Sequence, residues 1–109
     1  MSVIKIYTDG AARGNPGPSA SGYLIYEDGK LMAEAEAYNG METNNFAEYK
    51  AVVLALGWCA KNIRNAGDRA IETHSDSELV VRQINGQYKV KSKKLEELNN
   101  EVKSLSGPR

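Results

Sequence analysis

Three carboxylates could act together in this chain: Asp9 in Tyr7-Thr8-Asp9-Gly10, Glu48 in Phe46-Ala47-Glu48-Tyr49, and Asp76 in Ser75-Asp76-Ser77. None has a Lys or Arg immediately beside it in sequence to balance its charge. Gathered at one place, they would repel one another at neutral pH unless a cation neutralised them or their pKa values rose. Hard oxygen donors of this kind favour Mg²⁺ or Mn²⁺. Such ions activate water and stabilise a leaving oxygen, so the chemistry within reach is metal-dependent cleavage of a phosphodiester.

Each acid also has an ordinary explanation. Glu48 stands three residues after Asn45, the spacing of a capping box, and Asp76 lies inside a second such pattern, Ser75-x-x-Glu78. Asp9 could be a plain turn aspartate. The elements that position the three acids decide between the readings.

Val3 to Asp9 is rich in β-branched and aromatic residues and reads as a strand. The cluster Gly14-Asn15-Pro16-Gly17-Pro18 is a turn, so Asp9 is expected at the carboxyl end of that strand. Strand two covers Ala20 to Tyr26, and Glu27-Asp28-Gly29-Lys30 is a tight hairpin with Asp-Gly at its centre. Strand three spans Leu31 to Asn39, with Leu31, Ala33, Ala35 and Ala37 on one face and Met32, Glu34 and Glu36 on the other. A helix from Asn44 to about Ala66 is apolar on most sides, which implies burial, and Gly67 closes it. Strand four, Arg69 to His74, returns by a right-handed crossover and lies parallel to strand one. A second helix starts among Ser75–Ser77 and ends near Ile84. A third runs from Lys93 to about Leu105, with Leu95, Leu98, Val102 and Leu105 on one stripe, before the terminating tail Ser106-Gly107-Pro108-Arg109.

This order brings the acids together. Strands one and four point the same way, so Asp9 and Asp76 leave the sheet at the same edge, about 5 Å apart if the strands are neighbours. Glu48 falls in the first turn of the long helix, at the head of the stripe Glu48, Val52, Ala55, Cys59, and faces the sheet. Sites in α/β proteins lie outside the carboxyl ends of the strands.

Composition agrees with one small globular α/β domain over residues 1–109, of which 41% are hydrophobic. The start Met1-Ser2-Val3-Ile4-Lys5 runs into a strand, no apolar run spans a bilayer, and Cys59 is the only cysteine. A cytoplasmic protein with no membrane partner and no internal disulfide is expected, with Cys59 a small core residue. The net charge is zero but uneven: residues 1–78 hold seven Lys/Arg against eleven Asp/Glu, and residues 79–109 hold seven against three. Lys89, Lys91, Lys93 and Lys94 read as a solvated face, and His74, the sole histidine, as a strand-end residue.

Tyr7-Thr8-Asp9-Gly10, Gly14-Asn15-Pro16-Gly17-Pro18, Thr43-Asn44-Asn45-Phe46-Ala47-Glu48-Tyr49 and Ser75-Asp76-Ser77 with Val80-Val81-Arg82-Gln83-Ile84-Asn85-Gly86 together resemble type 1 ribonuclease H. The motifs are in order and correctly spaced over residues 3–105. The resemblance implies an RNase H-like mixed sheet in the order 3-2-1-4-5, with helices packed on it. It implies cleavage of the RNA strand of RNA/DNA hybrids by two divalent ions, Mg²⁺ or Mn²⁺, leaving 5′-phosphate and 3′-hydroxyl ends. By the same resemblance Asp9 bridges both ions, Glu48 and Asp76 complete one of them with the Gly10 carbonyl, and Asn15, Asn44 and Asn45 contact the hybrid.

Two departures set further expectations. Where the family has Gln two residues after the third acid, this chain has Glu78, an acceptor without a donor, as a substrate-contact position. A fifth strand, a histidine-bearing loop and a final helix with a fourth metal-binding aspartate do not follow Leu105. Impaired cleavage, or a nuclease-deficient domain that binds nucleic acid or a partner, is the alternative reading, and the bare edge of strand four suggests a homodimer. An actin-like phosphotransferase would need a second domain that this length does not hold.

Overall fold

The computed structural model describes residues 3–63 and 70–106. The elements are β1 (Val3–Ala12), β2 (Gly17–Glu27), β3 (Lys30–Glu42), α1 (Asn44–Asn62), β4 (Ala70–Ser75), α2 (Glu78–Ile84) and α3 (Lys93–Ser106). The strands form one mixed sheet in the order β3-β2-β1-β4. β1, β2 and β3 are antiparallel in turn, and β4 lies parallel to β1, as the crossover argument requires. β4 stands at the edge of the described sheet. Among the described residues no helix is long and apolar enough to cross a membrane.

Alternation along β1 sets the layers. Ile4, Ile6, Thr8 and Gly10 are buried on one face, whereas Lys5, Tyr7, Asp9 and Ala11 are exposed on the other. α1 packs on the buried face across β1 and β2, α3 packs on the far side of α1, and α2 touches β4 and both other helices. A helix held between a sheet and another helix needs apolar side chains all round. This accounts for the burial of Ala51, Val52, Val53, Ala55, Leu56 and Cys59. Burial pushes the Cys59 thiol up to about 11, so it is an inert core group. The opposite face of the sheet carries no described helix and shows Tyr7 packed edge-on to Tyr26 and stacked on His74.

The hairpin reads as expected. Asp28 (φ 50°) and Gly29 (φ 86°) both take left-handed conformations, which matches the twist of the flanking strands. Asp28 also holds the start of β1, since its carboxylate accepts from the Val3 amide at 2.9 Å.

Several local expectations change. β1 continues to Ala12 rather than stopping at Asp9, because β2 starts at Gly17 and keeps pairing as far as Ala12↔Ser19. β3 contains an irregularity at Ile25/Tyr26 that pairs Leu31 with Tyr26 but Ala33 with Ile25, which skips Met32. Leu31 therefore joins the open face, opposite Ala33, and is 45% exposed. α1 ends at Asn62, where Ile63 turns to extended backbone, short of the expected Ala66. Gly67, Arg69 and the tail from Gly107 lie outside the described residues.

One glycine governs the layer spacing. A Cβ on Gly10 would collide with the carbonyl of Ala47 and the amide nitrogen of Glu48. The first turn of α1 thus rests directly on the β1 backbone. Gly10→Ala is expected to cost about 1–3 kcal/mol, as other forced overpacking does, measured by urea unfolding against the unchanged protein.

Candidate active site at the end of the parallel strand pair

Register places the two aspartates. Parallel pairing of β1 and β4 ends at Thr8↔Ser75, and Asp9 and Asp76 are each the next residue. They are thus side by side where the two strands part company. Asp9 sits mid-strand with respect to β2, opposite Gly22, whose missing side chain leaves its flank open. A groove of about 500 Å³ begins there, walled by Tyr7, Asp9, Tyr23, Leu24, Glu34 and Glu36 among others. Glu48 and Asp76 do not line it, so the groove adjoins the acids rather than containing them.

α1 delivers the third acid. Its N-cap is Thr43, whose hydroxyl accepts from the Phe46 amide at 3.1 Å, and not Asn45. The capping-box explanation of Glu48 therefore fails. The first turn is strapped to the sheet where the Ser21 hydroxyl donates to the Ala47 carbonyl at 2.5 Å, itself accepting from Asn39 Nδ2 at 2.8 Å. Ser21 stands opposite Gly10, so strap and close approach lie at one level of the sheet.

The second capping box is also displaced. The N-cap of α2 is Ser77, which accepts from the Val80 amide at 3.2 Å, while Ser75 Oγ accepts from the Ser77 amide at 3.2 Å. Asp76 is left as the junction residue between β4 and α2. Glu78 opens the helix, exposed, and meets Arg82 at 3.6 Å one turn on.

Glu48 feels the charge of both aspartates. Burial raises the Glu48 carboxyl above its ordinary 4.5, the Ser77 hydroxyl partly offsets this, and the charges of Asp9 and Asp76 raise it further. Among the described residues, no three His, Cys, Asp or Glu side chains are placed so that together they could hold a metal ion. The acids are near enough to repel and are not drawn to one point. Carboxylate oxygens suit a hard divalent cation, which would offset the burial and like charge acting on Glu48.

The predicted contact residues divide. Asn44 Oδ1 accepts from the Ala12 amide at 3.0 Å, and Asn15 Oδ1 accepts from the Asn44 amide at 3.1 Å. The two asparagines lock the β1–β2 turn to the start of α1. Because a backbone N–H demands an acceptor, each amide is oriented with its NH₂ end turned away from the lock. Asn45 is half-buried in the first turn of α1, and Glu78 is exposed at the start of α2.

Sequence reasoning missed Ser21, Thr43 and Ser77 as supports of the site. Ser21 had a signal, since closing the turn over Gly14-Asn15-Pro16-Gly17 and counting outward from it through Ala12↔Ser19 sets Ser21 opposite Gly10. Thr43 and Ser77 had none stronger than those of the neighbouring Asn45 and Ser75, all being capping residue types.

The fold and site define an α/β protein with two aspartates side by side where the parallel β1–β4 pair ends and a half-buried glutamate close enough to feel their charge. The RNase H family model matches residues 1–106, and the chain belongs to that family. It is 43% identical over 86 residues to ribonuclease HI of Halobacterium salinarum, covering 78% of this chain and 41% of that protein. It is 34% identical over 108 residues to bifunctional protein Rv2228c of Mycobacterium tuberculosis, covering 97% of this chain and 28% of that protein. The chain thus spans less than half the length of these relatives. The crystal structure of RNase H1 from Halobacterium salinarum superposes with a TM-score of 0.86 at 35% identity, over 95% of this chain and 76% of that one. LC11-RNase H1 in complex with RNA/DNA hybrid superposes with a TM-score of 0.87 at 43% identity, over 94% and 75%.

The raised Glu48 has a consequence for stability. The folded protein holds that proton more tightly than the unfolded chain, so folding is penalised as pH rises through and above 4.5. Glu48→Gln removes the penalty. In metal-free buffer it should melt higher than the unchanged protein at pH 7, and the gap should close below pH 4.5. Thermal melts of both proteins from pH 3.5 to 8 check this.

Proposed function

We propose that this chain hydrolyses the RNA strand of RNA/DNA hybrids at the Asp9/Glu48/Asp76 cluster. The observation that carries the reading is the position of Glu48, half-buried and pressed by the charges of both aspartates. That arrangement costs stability in the bare protein and has a chemical use once divalent cations are held there. Asp9, Glu48 and Asp76 would hold Mg²⁺ or Mn²⁺, with the Gly10 carbonyl a further candidate donor. Ions held there would supply an activated water and neutralise charge on the phosphate and leaving oxygen. The products are expected to be 5′-phosphate and 3′-hydroxyl ends.

The residues of this chain arrange the rest. Gly10 and Ser21 set α1 against β1, and so set Glu48 against the aspartates. Ser77 turns a hydroxyl toward Glu48 while capping α2. Asn15 and Asn44, with their oxygens engaged inside the protein, offer NH₂ groups at the same end of the sheet. Donors suit the 2′-hydroxyl oxygens and base-edge acceptors of an A-like minor groove, which distinguish a hybrid from duplex DNA. A structural neighbour solved in complex with RNA/DNA hybrid, at 43% identity, supports this choice of substrate.

Asp9→Asn should leave no cleavage of a hybrid in Mg²⁺ or Mn²⁺, retain binding to it, and melt several degrees higher in metal-free buffer because a repelling charge is gone. The checks are gel analysis of end-labelled RNA in hybrid, beside duplex DNA, together with thermal melts. A variant that still cuts, or that melts lower, overturns the assignment of Asp9. An unchanged protein that binds hybrid and never cuts it would make the chain a binding domain.

A further inference from the structure

Three buried polar side chains link the three helices in a directed series. Asn99 Nδ2 on α3 donates to the Tyr49 hydroxyl at 3.2 Å, and that hydroxyl donates to Gln83 Oε1 on α2 at 2.7 Å. Gln83 Nε2 then donates to the Lys89 carbonyl at 3.3 Å. Tyr49 is 0% exposed, Asn99 3% and Gln83 6%. Only one orientation of the Gln83 amide works, because the reverse would set its oxygen against the Lys89 carbonyl.

Apolar residues of similar shape would fill these positions without the risk of leaving a buried group unpaired. What the polar series adds is direction: it ties a particular backbone carbonyl to a particular helix. That carbonyl belongs to the connection between α2 and α3. Gly86 donates to the Gln83 carbonyl, and Gln87 and Tyr88 donate to the Arg82 carbonyl, which folds the chain back over the end of α2. The Arg82 guanidinium lies 5.4 Å from the centre of the Tyr88 ring. Beyond them Lys89 and Lys91 are exposed and wall a groove of about 520 Å³ with Tyr88, Gln87, Ser92 and Leu95. In the middle of the series, Tyr49 follows Glu48 directly on α1.

The α1 residue next to Glu48 and the backbone of Lys89 are thus joined through one buried network. A polyanionic duplex held at three carboxylates through cations gains from lysines set at a fixed distance along its phosphates. We infer that the Tyr49–Gln83–Asn99 cluster is a positioning device, which fixes the Lys89–Lys91 loop relative to Glu48 so that the two lysines meet phosphates of the duplex engaged at the acids. For the identity of that duplex the inference rests on the function proposed above.

The test uses Tyr49→Phe, which removes only the hydroxyl, and Gln83→Met, which keeps the shape and removes both polar ends. Steady-state cleavage of an RNA/DNA hybrid is followed over a salt series, beside amide hydrogen exchange of the loop in the free protein and thermal melts. In both variants KM should rise about three- to tenfold while kcat changes less than twofold. The dependence of log KM on log salt should flatten by about one to two phosphate contacts. Amide exchange over residues 88–91 should quicken without any substrate present. Unchanged KM and salt slope in a folded variant, with only a lower melting point, would reduce the cluster to packing and overturn the inference. So would a fall in kcat at constant KM, which would place the effect at Glu48. If the unchanged protein neither cuts nor binds hybrid, the proposed function fails, and exchange in the free protein still judges the network: a loop unaffected by either variant overturns it.

Discussion

The contact on which the rest depends is the absence of a side chain at Gly10. Because nothing projects there, the backbone of α1 at Ala47 and Glu48 lies directly on β1. Ser21, opposite Gly10 on β2, fastens the same turn by its bond to the Ala47 carbonyl. From that point α1 runs over the buried face, with Ile4, Ile6 and Ile25 beneath it and Leu98 and Val102 of α3 in the same core. A helix lifted by the width of a methyl group would lose this packing and carry Glu48 away from the aspartates. Core density and site geometry are consequences of one close approach.

Holding three acids together opposes folding, and the elements around them supply the restraint. Asn15 and Asn44 lock the β1–β2 turn to the head of α1, and Lys94 reaches from α3 to Glu42 at 3.1 Å while lying 5.4 Å from the Phe46 ring centre. The Lys94 pair is exposed on its lysine side and contributes little by itself. Its use is to tie the end of β3 to the helical layer beside the cap of α1. The strain is concentrated on Glu48, the one of the three acids set on the inner, half-buried side.

Much of the architecture was legible from local pattern. The Asp28-Gly29 hairpin, the meander, the all-round apolar α1 and the parallel return of β4 follow from turn chemistry, periodicity and crossover handedness. The errors have equally physical origins. Leu31 departs from strict alternation, which assumes no extra residue, and the irregularity that skips Met32 contains neither Gly nor Pro to announce it. β1 outlasts the limit its turn residues suggest, because the partner strand keeps pairing to Ala12. Thr43 and Asn45 are both capping types, as are Ser75 and Ser77, and only the direction of the entering chain selects between them.

By itself the sequence determined the kinds of donor available: three carboxylates without adjacent cations, asparagines in two loops, a glycine after the first acid, and the order of elements that aims them at one edge. Those properties are local, or follow from connection rules that hold for any chain. Only the tertiary structure decided which atoms of those residues are committed. It turned the Asn15 and Asn44 oxygens inward, made Ser77 rather than Ser75 the cap beside Glu48, and joined Tyr49 to Gln83 and Asn99 across 34 and 50 residues. A hydrogen bond is set by distance and angle between groups that only packing brings within about 3 Å, and no window of neighbouring residues carries that information.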